Sequence, residues 1–299
     1  MGLKRLCSIW LLWMSGFLGV QGSVISYWRF EVDNDPAARR LNSPNEIAGE
    51  PAVISTSGKI DDTANPGSLP STIVPISGAP NTASLDGTPL DVNATAAYSS
   101  SLNVSSMTVE LFARTEERTA VLIARTNTAN PAGNSVADGF RIYDPQDLKV
   151  QYVLTDGVTT SNITIDTNFA MDGDTLPRGD GVTNWNHIAF TYDETTGVGT
   201  VYANGESIGS HTATVGSQLY WGDIGGGAEP MVYIGTRMDG YNFSKTRADN
   251  GFIDEIRFSN LALGNDQLLI APVPEPGTWI AGLSVCLLIG LHYWRRKQA

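Results

Sequence analysis

The sequence predicts an all-β protein, a two-sheet antiparallel sandwich with almost no helix. Three observations carry that expectation. Short apolar runs recur about every ten residues, bounded by Gly, Pro, Asn and Asp, and the body of the chain shows no helical periodicity. Residues 185–212 read as three strands joined by two turns. Composition agrees: charged residues are 17%, below the usual globular quarter, while Ser, Thr, Asn and Gly are plentiful.

The 185–212 stretch is the most informative. Trp185 to Tyr192 alternates, with Trp185, His187 and Ala189 on one face and Ile188, Phe190 and Tyr192 on the other. Period two with aromatics marks a strand. Asp193 to Gly199 is a polar turn run, Thr200 to Ala203 the return strand, and Glu206 to Thr212 a third strand. Between them Asn204-Gly205 supplies two residues that tolerate positive φ, as a type I′ hairpin requires.

The rest follows in chain order. Val24 to Val32 reads as the first strand, stopped by Asp33-Asn34-Asp35-Pro36. Residues 36–100 are dominated by turn formers, with short edge strands at Ala52 to Ser55 and Ser71 to Ile76. Met107 to Ala113 and Ala120 to Ala124 are apolar runs. Phe140 to Tyr143 and Lys149 to Leu154 form a hairpin pair, and Ser161 to Ile165 is a further strand. Residues 172–184 read as a loop. Met231 to Gly235 and Phe252 to Phe258 are the last strands, separated by a polar excursion. Leu261 to Ile270 is one helical turn or a final edge segment. There is no internal repeat, so residues 23–270 are expected to form one domain.

The two ends differ in kind. Residues 1–22 have a positive start at Lys4 and Arg5 and a short apolar run, the pattern of a signal peptide cut near Ser23. Residues 271–278 are a Pro-rich linker. Residues 279–294 are apolar, flanked by Trp279, Tyr293 and Trp294, and predict one C-terminal transmembrane helix. Residues 295–299 open with Arg295-Arg296-Lys297, which keeps the tail cytoplasmic. Cys7 and Cys286 both fall in these ends, so the sandwich has no thiol to pair.

Net charge is −12. An acidic body repels phosphate backbones, which excludes nucleic acid as a partner and is compatible with calcium or neutral glycans.

Two resemblances add to this. Residues 185–192 with Val201-Tyr202-Ala203-Asn204-Gly205-Glu206 resemble the central meander of the laminin G-like (concanavalin A-like lectin/glucanase) jelly rolls. Tyr27-Trp28-Arg29-Phe30-Glu31 is similar to their opening strand, and residues 251–258 with Leu261-Ala262-Leu263 to their closing strand. Pro274-Glu275-Pro276, an apolar helix and then Arg295-Arg296-Lys297 resemble the PEP-CTERM sorting signal of Gram-negative bacteria. That resemblance implies an exosortase as processing partner, a transient inner-membrane anchor, and delivery to the outer surface or the exopolysaccharide matrix.

Several residue sets are candidate sites. Glu31, Asp33 and Asp35 share one strand face. They depart from the Glu-x-Asp-x-Glu of the family's retaining glucanases, so a solvated strand end is favoured and no catalytic residue is assigned. Asp254-Glu255 alternate on a strand and point to opposite faces, and Asp254 reads as a structural acceptor. The resemblance implies calcium in some members, and Asp239, Asp249 and Asn250 are the candidate ligands, set among Arg237, Lys245 and Arg247. Tyr220, Trp221, Tyr241 and Phe243 are a candidate glycan platform. His187 and His211 form no metal pattern. The expected role is non-catalytic binding of glycan or protein in the envelope or matrix. The alternatives are a structural matrix component and a glycoside hydrolase.

Overall fold

The computed structural model describes residues 24–30, 42–43, 45, 47, 52–54, 59–61, 81–86, 94–97, 99–115, 120–127, 139–144, 147–171, 185–221, 230–239, 242–248 and 251–270. The leader, the linker, the apolar tail and both cysteines lie outside them. So do Glu31, Asp33, Asp35 and the strand expected at 71–76.

The strands, in order, are β1 (Val24–Trp28), β2 (Asn42–Ser43), β3 (Ala52–Ile54), β4 (Lys59–Asp61), β5 (Ser84–Asp86), β6 (Ala94–Ala96), β7 (Met107–Thr115), β8 (Ala120–Asn127) and β9 (Phe140–Asp144). They continue with β10 (Lys149–Thr155), β11 (Thr160–Asp166), β12 (Asn186–Asp193), β13 (Val198–Ala203), β14 (Glu206–Thr212), β15 (Gln218–Leu219), β16 (Pro230–Asp239), β17 (Asn242–Ala248) and β18 (Gly251–Ser259). Among the described residues they form two antiparallel sheets. Sheet A has eight strands in the order β14-β13-β12-β7-β18-β5-β4, with β1 also on β18. Sheet B has ten in the order β11-β10-β9-β8-β16-β6-β3-β2, with β15 on β10 and β17 on β16. Among the described residues helix is confined to two short 3-10 turns, Ser100–Leu102 and Asn265–Gln267.

Alternation builds the core. On β7 Val109, Leu111 and Ala113 face inward, against Ile188, Phe190 and Tyr192 of β12. Sheet B answers with Phe140, Ile142, Val150, Tyr152, Leu154, Val232 and Ile234. The Tyr152 ring lies 4.8 Å from Phe190 and 5.7 Å from Tyr192, and Trp28 meets Phe258 edge-on at 5.8 Å. Each such ring contributes roughly 2–3 kcal/mol by burial, and its contacts fix how the sheets stack. Burial pushes the Tyr192 hydroxyl up to about 12, and it donates to Ser217 O at 2.6 Å.

The predicted meander is present as β12, β13 and β14, with Asn204 at φ 50° and Gly205 at φ 82° in its second turn. Its first turn is tighter than expected. Asp193 Oδ1 accepts from Thr195 N at 2.9 Å and Gly197 N donates to Asp193 O at 2.8 Å, which closes the loop and lets β13 begin at Val198. Gly199 therefore belongs to the strand. Its missing side chain makes room for Tyr152, since a Cβ there would stand 2.5 Å from the Tyr152 hydroxyl.

Three expectations are corrected. The first strand stops at Trp28, and Phe30 sits at φ 56°. The polar excursion after Met231 forms a hairpin, because β16 runs to Asp239 and pairs with β17. The alternation at Asp254-Glu255 is broken by one extra residue, so Asp254 faces Phe112 and Arg257, three residues on, faces Glu110 on the same side of β7.

Candidate functional site

Each sheet has one face turned away from the core, and the two faces differ. On sheet A the outward residues of β7 are Thr108, Glu110 and Phe112, beside His187 and Ala189 of β12 and Arg257 of β18. Glu110 is fully buried. Its Oε1 accepts from Arg257 Nε at 2.6 Å, and its Oε2 meets His187 Nε2 at 2.9 Å and Leu269 N at 2.7 Å.

The cover is residues 261–270. Thr108 Oγ1 donates to Leu261 O at 2.7 Å and accepts from Leu263 N at 2.8 Å. Arg257 Nη2 donates to Gln267 O at 2.8 Å, and Asn265 Nδ2 to Gly205 O at 2.6 Å. Leu263 and Leu268 pack on Ala189, with Leu261, Tyr202 and Ile270 around them. This strap closes the face over β7, β12 and β13. Beside it, Glu255 Oε2 accepts from the Tyr27 hydroxyl, and Asp254 accepts from Asn81 Nδ2 at 2.9 Å and Glu255 N at 2.8 Å. The expected structural acceptor role of Asp254 is thus what the geometry gives.

Sheet B presents a different outer face. Cross-strand register aligns Tyr233 of β16, Ala124 of β8, Arg141 of β9, Gln151 of β10 and Thr164 of β11 in one row. At the β16–β8 end the face is buried, with Val121, Ala124 and Tyr143 forming a small apolar cluster. From β9 to β11 it opens: Arg141, Lys149 and Gln151 are half-buried, and Asn162, Thr164 and Asp166 are exposed. Arg141 lies over the Tyr143 ring at 4.4 Å and donates from Nε to Gln151 Oε1 at 2.6 Å. Gln151 Nε2 in turn donates to Thr164 Oγ1 at 3.0 Å. Partial burial lowers the Arg141 pKa. Lys149 is held to Asp166 at 2.5 Å, and that hydrogen bond raises its pKa. The result is a relay of donors and acceptors held on a rigid sheet, the arrangement that fixes polar ligands by geometry.

Of the sequence-derived candidates, Tyr220, Trp221 and Asp239 are among the described residues. Trp221 is buried, with the Arg125 guanidinium 4.1 Å over its ring, Phe140 edge-on at 6.2 Å and its Nε1 donating to Val104 O at 2.7 Å. Its faces are occupied by the protein itself, and Tyr220 beside it is half-buried. Tyr241, Asp249 and Asn250 lie outside the described residues, as does the side chain of Phe243. Asp239 ends β16, opposite Asn242. Among the described residues no three His, Cys, Asp or Glu side chains gather as a metal group.

Arg141, Gln151, Thr164 and the Glu110 cluster were not among the candidates. A signal for Arg141 and Gln151 existed: Phe140/Ile142 against Arg141/Tyr143, and Val150/Tyr152 against Lys149/Gln151, alternate strictly. Nothing local marks Glu110, whose partners stand 77, 147 and 159 residues away.

Comparison with known proteins places the architecture. No curated protein matches the chain. Among solved structures, the binding domain of botulinum neurotoxin DC in complex with SialylT is similar at 10% identity and a TM-score of 0.47, over 84% of this chain and 51% of that one. Domain 4 of a GH43 extracellular arabinanase from Geobacillus stearothermophilus, in complex with arabinotriose, is similar at 16% identity and 0.45, over 84% and 98%. A pentraxin from Limulus polyphemus is similar at 19% identity and 0.35, over 56% and 69%. The chain spans about half the length of the neurotoxin binding domain it matches. A family model described as the concanavalin A-like lectin/glucanases superfamily matches residues 90–268, which hold β6 to β18 and the strap as far as Leu268, and the chain belongs to that superfamily.

Proposed function

We propose that this protein is exported and sorted to the cell surface, where its sandwich binds glycan without cleaving it, through the outer face of β9, β10 and β11. The observation that carries this reading is the contrast between the two sheet faces. Sheet A is closed by the chain's own residues 261–270, whereas sheet B turns the Arg141–Gln151–Thr164 relay toward solvent. Sugars are polyhydroxylated and bind where donors and acceptors are fixed at set spacing. Adjacent strands lie about 4.8 Å apart, so the relay spans about 10 Å across three strands, room for a short run of sugar rings.

The non-catalytic part has its own support. A glycosidase needs two carboxylates that reach substrate from a cleft. Glu110, Asp254 and Glu255 are fully buried, and Glu110 is saturated by Arg257, His187 and Leu269. The support for export and sorting is the order of leader, Pro274-Glu275-Pro276, apolar run and Arg295-Arg296-Lys297. Calcium held by Asp239, Asp249 and Asn250 is part of the same proposal.

A glycan array probed with the full chain, with and without a chelator, tests the binding claim. Retention on polysaccharide with no release of reducing sugar is the expected result. Loss of all retention with both treatments would sink it. For sorting, replacing Glu275 and Pro276 is expected to leave the chain unprocessed in the membrane fraction.

A further inference from the structure

We propose that the ligand of the β9–β11 face is a neutral polysaccharide, and that the same face rejects polyanionic glycans. This rests on the reading of that face as the binding surface and adds the chemical class of what it takes.

Charge is the first ground. Residues 139–166, which build β9, β10, β11 and their connections, contain two cations, Arg141 and Lys149, against Asp144, Asp147, Asp156 and Asp166. A chain of net charge −12 surrounds them. A polyanion approaching this face meets repulsion from the molecule and from the hairpins themselves.

The second ground is where the cations point. A site built for carboxylate or sulfate presents a guanidinium fork or ammonium to the ligand. Here Lys149 Nζ is committed to Asp166 Oδ1 at 2.5 Å. Arg141 lies over the Tyr143 ring, 4.4 Å from its centroid, and its Nε donates to Gln151. An acidic sugar would have to displace Asp166 from Lys149, which leaves that carboxylate without its partner, or draw Arg141 off the Tyr143 ring and away from Gln151.

The other side chains of these rows are neutral. Gln151, Asn162, Thr164, Thr155 and Thr160 stand on one face of the β10–β11 hairpin in the pairs Gln151–Thr164, Val153–Asn162 and Thr155–Thr160. Hydroxyls and amides both donate and accept, which matches sugar hydroxyls that do the same. Such contacts carry little dependence on ionic strength, because no counterion is released.

The experiment uses the full chain, immobilised, with a soluble mixed-linkage β-glucan, xylan and dextran as neutral probes and alginate and polygalacturonate as acidic ones. Each is measured at low and high salt, with EDTA present and absent. Retention of at least one neutral polymer, insensitive to salt, is expected, with none of either acidic polymer. Gln151→Ala combined with Thr164→Ala is expected to weaken neutral binding about tenfold while leaving the unfolding midpoint in place. Asp147→Lys combined with Asp166→Asn is expected to admit alginate at low salt. Salt-sensitive binding of alginate by the parent chain would overturn the neutral assignment and leave glycan binding standing. So would an acidic polymer bound only in the absence of EDTA, through a bridging cation. Neutral binding untouched by the Gln151/Thr164 pair would overturn the assignment to this face. Binding of no polymer would overturn this inference and the glycan-binding reading together.

Discussion

Glu255 combines full burial, a backbone φ of 54° and one carboxyl oxygen, Oε1, with no hydrogen-bond partner. Positive φ at a side-chain-bearing residue costs free energy that the surrounding packing must offset. Desolvation raises its pKa to about 8, so at neutral pH the group is protonated, with the Tyr27 hydroxyl on its Oε2 and Asp254 bonded to its backbone N–H. The folded state then holds a proton that the unfolded chain, titrating near 4.5, has released. Stability from this group is complete below about pH 4.5 and falls as pH rises toward about 8, by up to about 1.4 kcal/mol per pH unit. Glu255→Gln keeps the shape and an acceptor for Tyr27. The two proteins should unfold at nearly the same urea concentration at pH 5, with the variant increasingly the more stable toward pH 9. Equal midpoints across that range would show that the carboxyl is not buried as described. The sequence gives Asp254-Glu255 as an alternating pair, and alternation is the rule that fails here. A bulge depends on the register of β18 against both β7 and β1, which no local pattern records.

Elements separate into those written locally and those written by distant partners. The β12–β13–β14 meander was legible because each of its decisions is local: alternation in residues 185–192, an Asx-closed turn after Asp193, and Asn204-Gly205 at positive φ. The strap at 261–270 was not. Its residues support either a helical turn or an edge segment, and it contains one 3-10 turn, Asn265–Gln267. What places it is the buried Glu110 carboxylate, which anchors Leu269 N and orients Arg257 toward Gln267 O. Glu110→Ala would leave Arg257 buried against no anion and release Leu269. Removing one partner of a buried pair typically costs about 3–5 kcal/mol. An unfolding free energy lowered by that amount in urea titrations is expected, with new protease cuts in 261–270 mapped by mass spectrometry. Unchanged protection of the strap would show that its leucines alone hold it.

At the scale of the whole molecule the two faces divide the labour. Sheet A spends its outward polar groups on fixing residues 261–270, and sheet B leaves its own toward solvent between β9 and β11. Arg141, Gln151 and Thr164 lie on sheet B, Glu110 and Arg257 on sheet A, with the aromatic core between them. Groups without shared partners contribute additively to stability, within about 0.5 kcal/mol. Gln151→Ala should therefore lower affinity for polysaccharide and leave the unfolding free energy within that margin, because substitutions at a solvent-facing position outside the core seldom cost more. Glu110→Ala should lower the midpoint and leave affinity unchanged at a temperature where the variant is still folded. The double variant should show the sum of both effects. Isothermal titration and urea unfolding on the same four proteins read this directly. A double variant whose affinity falls well beyond that of Gln151→Ala would mean that the strap communicates with the open face through the core. The sandwich would then be a coupled device rather than a closed back supporting an independent front.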